Sequence, residues 1–182
     1  MSKPVGYLMN SKDGLQGEDG IIYNYIFAVN GVFLHCHNDL LDATIKISEA
    51  QIRGLAYLKR KVELKKGKIP SSFLDMALSV AFANPGREAY LAVAWEDGYH
   101  LKIPDQMGEP RSVKYAVMSN TIMDIHTHGA LPPFFSSDDN ADEQGFRLSL
   151  VIGSLLAESE EILVRIGIYG YYTEVGIGEV FE

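Results

Sequence analysis

The sequence predicts an α+β fold, with a curved, mainly antiparallel sheet, one buried helix and an all-β region ahead of them. Three observations carry that expectation. Short runs rich in β-branched and aromatic residues recur along most of the chain. An Asn30-Gly31 pair sits between two such runs, the strongest short-range hairpin signal. One segment, residues 70–83, spaces its apolar side chains as a helix does.

In residues 21–47, Tyr23, Tyr25 and Phe27 alternate with other side chains, 32–37 reads as the return strand of the hairpin, and 43–47 as a third strand. Residues 59–68 hold six of the sixteen basic residues and one acid, a local +5 that leaves the rest of a chain of net charge -8 at -13. This stretch reads as a solvated hairpin whose lysines blunt a sheet edge, or else as a docking patch for an acidic partner. Pro70 suits a first helical turn. Phe73, Leu74, Ala77, Leu78, Val80 and Ala81 then give a wide apolar face, and Asn84-Pro85-Gly86 stops the helix. Residues 89–95, 99–103, 113–118 and 122–128 follow as strands, with a turn-rich loop over 104–110. Residues 136–144 suit a short helix, and 146–155, 162–169 and the tail 171–181 complete the strands. The domains expected are 1–68 and 69–182. A small sheet is marginal alone in water, so the first is expected to pack its apolar face on the second.

A chain of 182 residues that is 47% hydrophobic and 22% charged buries a core and is not disordered throughout. Its negative charge argues against a nucleic-acid partner. A single cysteine, Cys36, excludes an internal disulfide framework and a Cys-rich zinc knuckle, and fits a cytoplasmic protein. No basic stretch followed by an apolar run opens the chain, and no run approaches ~18 apolar residues, so neither a signal peptide nor a membrane partner is expected.

Chemistry concentrates in residues 124–139. His126 and His128 lie two apart, which on a strand puts both imidazoles on one face with Cα atoms ~6.5–7 Å apart. A Gly/Pro loop follows, and then Asp138, Asp139 and Asp142. Two histidines and one aspartate leave a fourth zinc position open for water, as hydrolytic sites do.

The segment resembles the JAMM motif of the MPN (Mov34-type) zinc metalloproteases, a distant Glu and then His-[Ser/Thr]-His, seven residues, Ser, two residues, Asp. Here His126-Thr127-His128 is followed by seven residues, then Ser136, Ser137-Asp138 and Asp139. The resemblance implies an MPN, cytidine-deaminase-like core, one zinc ion held by His126, His128 and Asp139, and Ser136 as hydrogen-bond donor to the tetrahedral oxyanion. It also implies a glutamate general base at the start of the strand after the first long helix, where Glu88 stands. Many members have Pro after the second His where this chain has Gly129. The glycine-rich stretch that usually follows the glutamate is here Ala89-Tyr90-Leu91-Ala92-Val93-Ala94. More widely, 141–147 and 164–171 are similar to the JAMM-type component of bacterial PRTRC cassettes, which also encode ThiF-related proteins. The activity implied is that of a zinc metallopeptidase or isopeptidase, a deubiquitinase-like hydrolase acting on a peptide or on the C-terminus of a ubiquitin-like or sulfur-carrier-like protein. A ThiF-related protein is the partner implied.

Other readings stand beside these. Glu96, at the far end of the same strand, is the rival to Glu88. Asp138 and Asp142 read as helix N-terminal carboxylates and Ser137 as a helix cap. His35-Cys36-His37 offers a second His-x-His, with only Asp39 nearby, and reads as strand surface; Cys36 points the other way as a small apolar residue. A metal-binding scaffold without turnover is the alternative function. An amidohydrolase-type barrel needs more chain than the 54 residues after His128.

Overall fold

The computed structural model describes residues 3–104, 107–109, 112–114, 120–142 and 144–182. The backbone divides into two units, Met1–Gly67 and Lys68–Glu182.

The first unit is a six-stranded sheet of β1 (Lys3–Ser11), β2 (Gly14–Glu18), β3 (Gly20–Ala28), β4 (Gly31–His37), β5 (Leu41–Ser48) and β6 (Lys61–Leu64), in the order β2-β1-β3-β4-β5-β6. The pairing of β1 with β3 is parallel and the others are antiparallel. Strand alternation separates two faces. One carries the cluster Leu8, Ile26, Ala28 and Phe33, against which Leu58 packs. On the other, Tyr7 stacks on its cross-strand partner Tyr25 with ring centroids 5.5 Å apart.

The hairpin forms one residue earlier than Asn30-Gly31 suggests. Gly31 pairs with Ala28, so Val29 and Asn30 make the loop. Gly31 has φ +143, and a Cβ there would lie 2.4 Å from the Ser48 carbonyl oxygen. The lysine-rich stretch makes the edge strand β6 and then a turn, not a hairpin. Lys61 sits 3.0 Å from Asp42 and 2.6 Å from Glu63. His35 faces Asp42, at 3.3 Å, and not Asp39. Among the described residues this second His-x-His belongs to no metal-ligating group. Cys36 is buried, and burial pushes its thiol up to about 11, which suits packing and not nucleophilic attack.

The second unit contains α1 (Ser71–Ala83), β7 (Tyr90–Trp95), β8 (Tyr99–Lys102), β9 (Met107–Glu109), β10 (Ser112–Lys114), β11 (Thr121–Thr127), α2 (Ser137–Asp142), β12 (Phe146–Gly153), β13 (Glu161–Ile168), β14 (Tyr171–Glu174) and α3 (Ile177–Val180). Six strands form a sheet in the order β14-β13-β12-β11-β7-β8, and β9 pairs with β10 separately. Of the strand expected over 113–118, residues 115–118 lie outside the described residues. Only β11 and β12 run parallel. One face of the large sheet is apolar and fully buried, with Leu91, Val93, Met123, Ile125, Leu148, Leu150, Val164 and Ile166. Residues between them in sequence, among them Asp124, His126, Ser149 and Arg165, are buried on the other face. A polar face held this far from water is where the chemistry gathers.

The expected α+β fold with an MPN core and flanking helix is not the one the chain adopts. Two six-stranded mixed sheets dominate, and the described helices span 13, 6 and 4 residues. The helix expected to be buried has only Ala77 and Ala81 inside, while Met76 and Phe82 stay 44% and 49% exposed. Strands β1 and β2 come from a stretch with no clear alternation, since every residue of β2 is exposed. The tail continues only to Glu174 as strand and ends as a short helix.

Gly31 and Gly14 test the hairpin geometry as a pair. Both have positive φ, but a Cβ at Gly14 meets nothing within 4 Å. Gly14→Ala should cost only backbone strain, ~1–3 kcal/mol. Gly31→Ala should cost measurably more, read as a lower denaturant midpoint. Equal losses would show that β5 does not approach Gly31 as described.

Candidate metal centre

The centre is built on β11, whose alternation puts Asp124, His126 and His128 on one side. Backbone pairing fixes the strand from both flanks: His126 lies opposite Tyr90 of β7 and Val151 of β12. Beyond the strand end, the His128 N–H donates to the Ile152 carbonyl at 2.8 Å. Asp124, 2% exposed, accepts hydrogen bonds from the Tyr90 hydroxyl and from Arg147, the latter at 2.9 Å.

The chain then turns sharply. Gly129 has φ +58, and a Cβ there would lie 2.5 Å from the Pro85 carbonyl oxygen. This position therefore takes glycine where the resemblance leads one to expect proline, whose ring holds φ near ~-65°. The loop returns over Gly153, where a Cβ would lie 2.4 Å from the Leu131 carbonyl oxygen. The Ser154 N–H donates to that same oxygen at 2.7 Å. This close return brings residues 134–139 back to the histidines. Phe134 packs edge-on against the His128 ring at 4.5 Å, and Phe135 against His126 at 6.2 Å.

Ser136, not Ser137, caps α2. The Ser136 hydroxyl oxygen accepts from the Asp139 N–H at 3.1 Å, while Asp139 Oδ2 accepts from the Ser136 N–H at 2.6 Å and from its hydroxyl at 2.7 Å. This is a reciprocal capping box with aspartate as the acid. It leaves Asp139 Oδ1 turned to His126 Nε2, 3.5 Å away.

His126, His128 and Asp139 offer one ligand atom each within 4.8 Å of one another, a cluster able to hold a metal ion. His126 Nε2 and His128 Nδ1 are buried and have no hydrogen-bond partner. Buried polar atoms in that state are costly and suit metal ligation, so the donor set fits a cation. Burial pushes the His126 imidazole down to about 4 against the attraction of Asp139, and lowers His128 in the same way. Burial thus favours the neutral form of both rings, the form that ligates.

Glu88 precedes β7. Its neighbour Ala89 donates its N–H to the Thr127 hydroxyl and accepts from the Thr127 N–H, each at 3.0 Å, which ties the residue after Glu88 to the residue before His128. Burial raises its carboxyl and the charge of Asp139 raises it further. Glu96 lies just past the other end of β7 and pairs with Lys102 at 2.9 Å.

Three residues around the centre are given no part in it by the sequence reading. Arg165 of β13 lies between the rings of Phe135 and Tyr172, at 3.7 and 4.0 Å from their centroids, and donates to Asn140 Oδ1 at 2.6 Å. The Tyr172 hydroxyl donates to the Asn140 carbonyl at 2.9 Å. The only signal for this arrangement is a charge in the middle of the apolar run Leu163-Val164-Arg165-Ile166. No protein-family model matches the chain, and no curated protein matches it.

Gly129→Pro tests the turn. It should lower stability by at least ~1–3 kcal/mol and weaken metal binding, measured by thermal melting and by metal titration of the folded fraction. A variant that melts and binds as the wild type does would show that Gly129 is not in the left-handed region.

Proposed function

We propose that this protein is a JAMM-type zinc-dependent peptidase or isopeptidase, with a substrate amide at the C-terminus of a ubiquitin-like or sulfur-carrier-like protein. The observation that carries the reading is the convergence of His126, His128 and Asp139, at the motif's spacing, around two imidazole nitrogens that no protein group satisfies. A zinc ion held by these three residues would supply Lewis acidity, polarising a scissile carbonyl and making water nucleophilic near neutral pH.

The protein's own groups do the rest. Glu88, its carboxyl raised by burial and by Asp139, accepts a proton as water adds to the carbonyl carbon. It returns that proton to the amine nitrogen as the C–N bond breaks, leaving a free amine and a carboxylic acid that ionises to solvent. A raised pKa suits a group that must both take and give a proton. Ser136 has one hydroxyl proton, which in the resting arrangement it donates in a hydrogen bond to Asp139 Oδ2. Donating it to a developing oxyanion means releasing that bond, while the Ser136 N–H continues to hold the carboxylate. Phe134 and Leu131, 48% and 54% exposed, give an apolar lip beside His128 against which a peptide rests. The ThiF-related partner belongs to the same reading, as the activating counterpart of such a hydrolase.

Metal content is the first check. Protein reconstituted with zinc should hold about one ion per chain by elemental analysis, and His126→Ala with His128→Ala should hold none. Unchanged zinc in that double variant would remove the site. Glu88→Gln is the second check. It should keep zinc and lose ~10²–10⁴-fold in turnover of an amide-linked fusion to a ubiquitin-like or sulfur-carrier protein. Full activity in Glu88→Gln would remove the general base. Zinc binding without cleavage by the wild type would leave the metal-binding scaffold as the function.

A further inference from the structure

We propose that Arg165 is the positioning residue of the metal centre, clamping the segment from Phe135 to Asn140 so that Asp139 faces the two histidines. The inference rests on the metal-site reading above. Asp139 is not on the sheet that carries its partners. It reaches them from a loop and the first turn of a six-residue helix, and a helix that short does not hold its own orientation.

Arg165 connects that segment to the sheet at both ends. Its guanidinium lies against the Phe135 ring, 3.7 Å from the centroid, one residue before the capping serine. Its Nη1 donates to Asn140 Oδ1 at 2.6 Å, one residue after the ligand. The Tyr172 ring also lies against the guanidinium, its centroid 4.0 Å away, and the Tyr172 hydroxyl donates to the Asn140 carbonyl at 2.9 Å. Gly167, opposite Tyr172 in register, leaves room for that ring: a Cβ there would lie 3.1 Å from Tyr172 Cε1. The same Phe135 ring that rests on Arg165 packs edge-on to His126. Ring, guanidinium, amide and hydroxyl thus form one continuous contact from β13 and β14 to the residues on either side of Asp139.

Arginine suits this place for a reason lysine does not meet. A planar guanidinium can lie against two rings while its edge still donates in its own plane, whereas an ammonium is a point charge with no face. Arg165 is 5% exposed, so the arrangement is a built interior contact and not a surface contact. Groups that orient a ligand without touching the metal set its affinity, and their loss costs ~10–100-fold.

The test is zinc affinity by competition with a chelator, together with the visible absorption of the cobalt-substituted protein, on variants kept well below their melting temperatures. Arg165→Met should raise the zinc Kd ~10–100-fold and change the cobalt spectrum, and Arg165→Lys should not rescue either. Asn140→Ala should weaken zinc through the same contact, so combining it with Arg165→Met should add little further loss, as expected of coupled groups. Tyr172→Phe, which keeps the ring and loses the hydroxyl, should cost less than Arg165→Met. If Arg165→Met does not fold, Asn140→Ala and Tyr172→Phe decide the matter. Folded variants with the wild-type zinc Kd and cobalt spectrum would overturn the clamp while leaving the metal site standing. A wild-type protein that binds no zinc would instead overturn the metal reading itself, and the clamp with it.

Discussion

The centre depends on the placement of β11 between an antiparallel and a parallel neighbour. Each pairing alone leaves a strand free to slip, and a slip of one residue would turn Asp124, His126 and His128 to the opposite face. With His126 in register with both Tyr90 and Val151, and apolar Met123 and Ile125 fully buried on the other side, such a slip would put the charged row in the core. Register is therefore set by the hydrophobic face, and the chemistry takes its geometry from packing on the reverse side of the same strand.

From that fixed strand the ligand set is closed by two returns of the chain. The first is the Gly129 turn and the loop lying on Gly153, where backbone comes too close for any Cβ. The second is the capping box, which ties both Asp139 Oδ2 and its N–H to Ser136. One carboxylate oxygen is spent on structure and the other turns to the histidines. A longer acid at that position would satisfy the cap but displace the oxygen that faces His126.

Much of this was legible from residues alone, and the failures have physical causes. The His126/His128 pair, the loop after it and the short helix that delivers Asp139 follow from period-two alternation, Gly/Pro punctuation and capping chemistry, all of them local. The all-β first region was expected, but its first two strands were not, because residues 3–18 form strands by pairing and not by pattern, with β2 exposed throughout. The apolar count of 70–83 also overstated how far that helix is buried. The cap fell to Ser136 instead of Ser137 because the reciprocal bond needs the acid three residues on, and Asp139 supplies it. Gly129 shows a tertiary demand that no local rule reports: it is glycine because Pro85, far back in sequence, lies against it. Arg165 is the extreme case, since its meaning depends on Phe135, Asn140 and Tyr172 meeting in space.

The electrostatics of the polar face give a final reason to treat the cluster as a site and not as packing. Two carboxylates, Glu88 and Asp139, lie close enough that one raises the other. Beside them two imidazoles are held neutral by burial, each with a buried nitrogen that no protein group satisfies. An unsatisfied buried polar atom costs ~1–3 kcal/mol, a large share of the ~5–15 kcal/mol by which domains are stable. Apolar residues at 126 and 128 would avoid that cost and extend the core. Arg165 supplies one nearby positive charge, but its guanidinium is turned to Asn140 and two aromatic rings. A divalent cation between the histidines and Asp139 would satisfy both imidazoles and offset the carboxylates together. In this arrangement metal affinity and folding stability would draw on the same groups, so a bound cation would offset the cost of burying them.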